Sequence, residues 1–242
     1  MVELIFQKDS YIREFDAIVT DVKDNRIFLD KTAFHPGPSG GLESDTGWLE
    51  FPESNFRSVV EKAVFEQGNV AHILKETLPE IKPGMKVHGI IDWERRYRMM
   101  RLHTASHIIA ALLYDKYKAK VTGGNISPDS ARDDFDLSGV TDWKSALSWA
   151  VETANEIAKK CLEVKVYWLP REEAFKIPGI VKLAGRLPPS IKEIRIVEIP
   201  GVDIQADGGP HVRNTCEIGE IQLLRLESKG SKRRRVYYTV KP

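Results

Sequence analysis

Two histidines four residues apart, in Arg101-Leu102-His103-Thr104-Ala105-Ser106-His107, are the residues of this chain whose type and spacing first suggest chemistry. On a helix, positions i and i+4 share a face, so both imidazoles can reach one cation. A third histidine, His211, ends the later segment Asp207-Gly208-Gly209-Pro210-His211. His103, His107, Asp207 and His211 would supply three ring nitrogens and one carboxylate oxygen, a set that suits tetrahedral zinc. The helical pair alone is equally compatible with coincidence; the downstream Asp-x-x-x-His and its glycines favour a metal site. The pattern is not that of a helical zinc protease. Those read His-Glu-x-x-His with the glutamate as general base, and here Thr104 stands at that position.

These residues need a helix and a loop to carry them, and the surrounding sequence predicts both. From Trp93 to Tyr117 there is no proline or glycine, and Met99, Leu102, Ser106, Ile109 and Leu113 recur at helical spacing, with Asp92 as N-cap. Gly201–His211 reads as a loop. A second helix is expected over Asp142–Cys161, strands at Val164–Leu169 and Ile194–Ile199, a helical turn at Glu172–Phe175, and a closing hairpin from Glu217–Leu226 and Arg234–Val240. The first ninety residues read differently, as short strands punctuated by turns: Phe15–Val22, Arg26–Leu29, Trp48–Phe51, Ser58–Phe65, Val70–Leu74 and Lys86–Ile91. The expected fold is therefore α+β: a small β-barrel-like domain over 1–91 with a glycine-rich loop, then an α+β metal-binding core over 92–242.

Composition narrows the function classes. No apolar run reaches the roughly 18–20 residues of a membrane span, and the N-terminus lacks the pattern of a signal peptide. Two cysteines, Cys161 and Cys216, do not announce a disulfide framework, so a reducing cytoplasm is the expected setting. A net charge of +1 gives no bulk sign of nucleic acid, which leaves local patches as the place to look.

Three segments then form a joint pattern: Thr32-Ala33-Phe34-His35-Pro36-Gly37-Pro38-Ser39-Gly40-Gly41, His103-Thr104-Ala105-Ser106-His107, and Asp207-Gly208-Gly209-Pro210-His211-Val212 with Glu217-Ile218-Gly219 behind it. In this order they resemble the editing domain of alanyl-tRNA synthetase and the AlaX proteins that carry that domain alone. The resemblance covers essentially the whole chain, and nothing in it resembles the ATP-dependent activation domain. It implies a hydrolase acting in trans, with one bound zinc ion, on tRNA(Ala) carrying the wrong amino acid, chiefly serine and also glycine. An alanine pocket cannot strongly reject an analogue that merely adds a hydroxyl, so synthesis needs a second, correcting site.

The resemblance also assigns roles. Thr32 matches a threonine of the family's pocket and is the candidate reader of the serine hydroxyl, the alternative being a β-branched strand residue. Gly208 and Gly209 would lie against substrate. His35 stands where the family commonly has tyrosine and is a candidate for proton transfer, unless it merely packs. Gly40 and Gly41 could present N–H groups to developing negative charge, or simply form a tight turn. The chain departs from the family twice: Asp207 replaces the usual cysteine, and Leu42 follows the glycines where glutamine is usual. Those departures keep open a rival, an aminoacyl-tRNA-binding protein with weakened catalysis, or a metallohydrolase of another aminoacyl ester. For tRNA, two basic clusters are the candidates: Arg95 and Arg96, and Lys232, Arg233 and Arg234, against the plain alternative of solvated faces. No oligomeric state follows from the sequence.

Overall fold

A computed structural model describes residues 2–177, 180 and 192–241. The chain divides into two compact units, Met1–Met99 and Met100–Pro242.

The first unit is a barrel with short additions. Its strands are β1 (Glu3–Leu4), β2 (Glu14–Lys23), β3 (Arg26–Leu29), β4 (Lys31–Thr32), β5 (Gly47–Phe51), β6 (Phe56–Glu66), β7 (Asn69–Leu74) and β8 (Lys86–Ile91). Six of them close in the order β2-β3-β7-β6-β5-β8, which leaves no open edge. Alternation explains the closure: Phe15, Ala17 and Val19 of β2 point inward between exposed neighbours, and Ile27, Leu29, Leu49, Phe51, Val60 and Leu74 join them in the core. Gly89 faces Phe15 across the β2–β8 pair, where a Cβ would stand 2.3 Å from the ring. The predicted strands are all present, the hairpin at Lys23–Arg26 included.

Helix α1 (Trp93–Tyr117) begins as the first unit ends, and Asp92 caps it by accepting the Arg95 N–H at 3.2 Å. The second unit adds β9 (Lys120–Ile126), β10 (Ala131–Asp136), α2 (Trp143–Ala158), β11 (Lys165–Pro170), α3 (Arg171–Ala174), β12 (Glu193–Ile199), β13 (Asp203–Ala206), β14 (Ile221–Lys229) and β15 (Arg233–Val240). A four-stranded sheet has the order β14-β15-β10-β9, and a three-stranded one the order β11-β12-β13. Asp142 caps α2 through the Ser145 N–H. No described helix is long and apolar enough to cross a membrane.

Two expectations need correction. The Gly201–His211 segment is not all loop: Asp203–Ala206 pairs with β12 as an edge strand, its Ile204 and Ala206 packed on or into an apolar cluster. The cysteines are not free either. Cys161 and Cys216 are disulfide-bonded, with Cα atoms 4.6 Å apart across 55 residues of sequence. That pairing needs the end of α2 and the turn after His211 to meet, which no local pattern announces.

Candidate metal centre

His103 and His107 lie on one face of α1, and Asp207 and His211 come from the segment that leaves β13. One ligand atom from each of the four lies within 4.8 Å of all the others. Asp207 Oδ1 is 3.6 Å from His103 Nε2 and 3.9 Å from His107 Nε2; its Oδ2 is 3.2 Å from His211 Nε2. A tetrahedral ion with bonds of about 2.0–2.1 Å holds its donors roughly 3.3–3.4 Å apart, so the quartet is at the right scale for one cation. The rings surround a common point, with centroids 4.1 to 4.9 Å apart.

The tautomers follow from the hydrogen bonds. His103 Nδ1 meets the Pro210 carbonyl at 3.2 Å, an acceptor only, so Nδ1 carries the proton. His107 Nδ1 meets Asp203 Oδ2 at 3.1 Å, and the carboxylate also accepts from Gln205 Nε2 at 2.8 Å. His211 Nδ1 lies 3.0 Å from Thr104 Oγ1. Thr104 spends its own proton on the Met100 carbonyl at 3.0 Å, so it must accept from His211. All three Nδ1 atoms therefore donate outward, and all three Nε2 lone pairs are left for the centre. That is how a metal site orients its imidazoles. Thr104, which argued against a protease, acts here as the acceptor that turns His211.

The loop is built for close approach. A Cβ on Gly209 would stand 2.6 Å from His103 Cε1, so no larger residue fits. The Gly209 N–H donates to Asp207 Oδ2 at 2.6 Å, which leaves Oδ1 as the freer oxygen. Buried Arg195 ties the turn together by donating to the Asp207 and Gly209 carbonyls at 2.9 and 3.1 Å. Downstream, the Asn214–Glu217 capping box and Thr215, bonded to the Ile157 and Ala158 carbonyls, fasten the chain to the end of α2.

Charge is consistent with a cation site. Burial pushes the Asp207 carboxyl up, but His103, His211 and His107 outweigh it and hold it well below the usual range. Burial, then the neighbouring His103 and His107, hold His211 well below an ordinary histidine. Burial lowers His107 too, but Asp203, Asp207 and Asp133 more than offset it, and its pKa is raised. A cation satisfies Asp207 while displacing any proton from the imidazoles. The residues present fit a divalent ion.

The glycine-loop and pocket candidates belong to the first unit. Gly40 (φ +61°) and Gly41 (φ +89°) link a two-way backbone bridge between Ser39 and Leu42, the geometry of a tight hairpin turn. Leu42, at the position of the family glutamine, is fully buried. His35 is 1% exposed, its ring edge-on to Phe6 at 5.4 Å and its Nδ1 3.3 Å from the Glu43 carbonyl, while its backbone N–H donates to Asp45 Oδ2 at 2.5 Å. Thr32 is fully buried: its hydroxyl accepts the Phe34 N–H at 3.0 Å and lies 2.7 Å from His72 Nε2. His72 Nδ1 must donate to the Ile27 carbonyl at 2.9 Å, and burial lowers this imidazole from 6.5 to about 4, so it is neutral. Nε2 is then an acceptor, and Thr32 donates its one proton to it.

Among the basic residues, Arg96 is a misreading. Its side chain is fully buried, with Nε on Asp45 Oδ1 at 2.8 Å, Nη1 on the Ser10 carbonyl at 3.0 Å and Nη2 on the Ala33 carbonyl at 2.6 Å. A guanidinium so occupied cannot take a phosphate. Arg95 is partly exposed and pairs with Glu43 at 2.9 Å. Lys232 and Arg233 are exposed, whereas Arg234 closes its own turn by donating to the Gly230 and Ser231 carbonyls and lies 5.2 Å over the Trp143 ring. Sequence reasoning missed Asp203, the acceptor role of Thr104, and Arg195. The Asp203 position two residues before Gln205 on a strand feeding the metal segment was the one available signal.

Two histidines on α1 facing an Asp-Gly-Gly-Pro-His turn thus form a candidate metal centre in an α+β unit. Residues 194–237 match the family described as the threonyl and alanyl tRNA synthetase second additional domain. The chain is 56% identical over 242 residues to the alanyl-tRNA editing protein AlaX-M of Saccharolobus solfataricus, covering 100% of both chains. It is 38% identical to AlaX-M of Methanosarcina acetivorans, with 99% of each covered. Alanine–tRNA ligase of Ignicoccus hospitalis is 35% identical over 226 residues, which is 91% of this chain but 24% of the ligase. The chain belongs to the AlaX family of alanyl-tRNA editing proteins.

Proposed function

We propose that this protein is a metal-dependent hydrolase that deacylates mischarged tRNA(Ala) in trans, with Ser-tRNA(Ala) as chief substrate and Gly-tRNA(Ala) as a second, in the cytoplasm where tRNA is charged. The observation that carries this reading is the convergence of three imidazole Nε2 lone pairs and the Asp207 carboxylate on one point in an AlaX family member. His103, His107, Asp207 and His211 would hold one zinc ion, whose part is to act as a Lewis acid beside the ester. The carboxylate makes the donor set harder than the family's thiolate would. Asp203, Thr104 and the Pro210 carbonyl orient the three imidazoles, and Arg195 holds the turn that presents Asp207.

Specificity is assigned to Thr32. Because its proton is committed to His72 and one lone pair to Phe34, it can meet a serine hydroxyl only as an acceptor. A site that hydrogen-bonds a substrate hydroxyl can reject the analogue lacking it by as much as ~10⁴-fold. The test is deacylation of a panel of charged tRNAs by metal-loaded protein and by Thr32→Val. Turnover of Ser-tRNA(Ala) far above Ala-tRNA(Ala), with the ratio collapsing in the variant at unchanged metal content, supports the assignment. Binding without turnover would favour a non-catalytic aminoacyl-tRNA binder instead, the reading that buried Leu42 in place of the family glutamine suggests.

A further inference from the structure

The four-stranded sheet of the second unit has two unlike faces. Asp133, Phe135, Val236 and Tyr238 point inward and are buried, with Ser106 of α1 donating to Asp133 at 2.8 Å. The alternate residues lie on the opposite face, where Arg225, Lys229 and Arg233 are exposed while Asp134 is buried, and strand register sorts them into rows. One row runs Lys120, Asp136, Arg233, Lys229; the next holds Asp134, Arg235 and Glu227; the third runs Asn125, Arg132, Tyr237, Arg225. Six cations thus share one face with three carboxylates, an excess of three positive charges.

Internal pairing does not consume that excess. Glu227 serves both Arg225 at 3.0 Å and Lys229 at 2.9 Å. Asp134 is held by Arg235 at 2.6 and 2.9 Å and has Arg233 at 4.0 Å besides. The most telling residue is Arg132. Its Nε is shut away from solvent with no acceptor, and its side chain makes no hydrogen bond among the described residues. Nε itself is closed to any ligand that water cannot reach, as are Arg195 Nη2 and Arg234 Nε; it is the Nη groups of Arg132, outside that closed set and bonded to no described acceptor, that can take a phosphate. Beside it, Arg225 is 59% exposed and lies 4.2 Å over the Tyr237 ring. Guanidinium groups flanking an aromatic on an open sheet suit a polynucleotide, whose phosphates take Arg forks and whose unpaired bases stack on such planes.

We infer that this sheet face, centred on Arg132 and Arg225 around Tyr237, is the surface that docks the phosphate backbone of the RNA substrate. The inference rests on the editing reading only in taking that RNA to be tRNA(Ala). Two measurements on the full chain separate the claims: fluorescence anisotropy with a labelled, uncharged tRNA(Ala) transcript across a salt series, and KM and kcat on Ser-tRNA(Ala). The variants are Arg132→Gln with Arg225→Gln, the charge-keeping Arg132→Lys, and Arg57→Gln, an exposed barrel arginine, as control.

The double variant should flatten the log–log salt slope by about one per lost contact, so that the affinity lost between roughly 50 and 200 mM salt shrinks about fourfold for each. KM should rise while kcat stays, Arg132→Lys should recover most of the affinity, and Arg57→Gln should match wild type. A wild-type slope, affinity and KM in the double variant would overturn this surface and leave editing standing. A flattened slope in a protein that deacylates no charged tRNA would keep the surface and overturn the editing reading.

Discussion

Removing the acceptor behind His107 tests whether the centre is an oriented metal site or a cluster of buried histidines. Asp203 stands 3.1 Å from His107 Nδ1, on the far side of the ring from Asp207. Such partners fix the tautomer and raise ligand basicity, and losing one typically weakens metal binding 10–100-fold, about 1.4–2.7 kcal/mol. The two obvious substitutions should fall at different ends of that range. Asp203→Asn keeps one oxygen that can accept from both His107 Nδ1 and Gln205 Nε2 and loses only the charge, so a loss of about tenfold is expected. Asp203→Ala leaves the Nδ1 proton without an acceptor, frees the ring to take the other tautomer, and should approach ~100-fold. The assay is competition for zinc against a chromophoric chelator, repeated with cobalt, whose visible bands report coordination geometry. Equal affinities in wild type, Asn and Ala variants would refute the reasoning, because nothing at Nδ1 would then govern Nε2.

Three further outcomes are expected. Gly209→Ala puts a methyl 2.6 Å from His103 Cε1 against a turn held by Arg195, so metal content should fall at least about tenfold with the fold intact by circular dichroism. His72 has a folded pKa of about 4 against 6.5 unfolded, so its contribution is fully present above pH 6.5 and is lost as pH falls through 4. In urea unfolding with chelator present, the difference between wild type and His72→Gln should accordingly shrink by about 3 kcal/mol over that window; a pH-independent difference would contradict it. Reducing the Cys161–Cys216 bond, which closes a loop of 55 residues, should cost about 2–4 kcal/mol of stability, and unfolded, unreduced protein should show no free thiol.

The four residues of the candidate centre could be picked out because each pair is local: four residues on a helix, four residues across one turn. What completes the site was not. Asp203 reaches His107 across 96 residues, Thr104 reaches His211 across 107, and Pro210 reaches His103 across 107. No short pattern marks such partners, and Thr104 was informative only for the reaction it excluded. The barrel strands were readable from alternation, whereas β13 was hidden inside a stretch whose Gly201, Gly208 and Gly209 spoke for a loop.

Basic runs misled for a related physical reason. Arg95, Arg96, Arg98 and Arg101 look like one cluster, yet helical periodicity sends neighbours to different faces and burial decides the rest. Arg96 is locked on Asp45 and two backbone carbonyls, and Arg101 on the Ile218 carbonyl at 3.0 and 2.8 Å. The closing hairpin splits likewise, Arg233 outward and Arg234 over Trp143. By contrast Arg132, alone among acidic neighbours in Arg132-Asp133-Asp134, drew no attention as a cation. At 207 a carboxylate in place of the family's usual cysteine would make the donor set harder than a thiolate does.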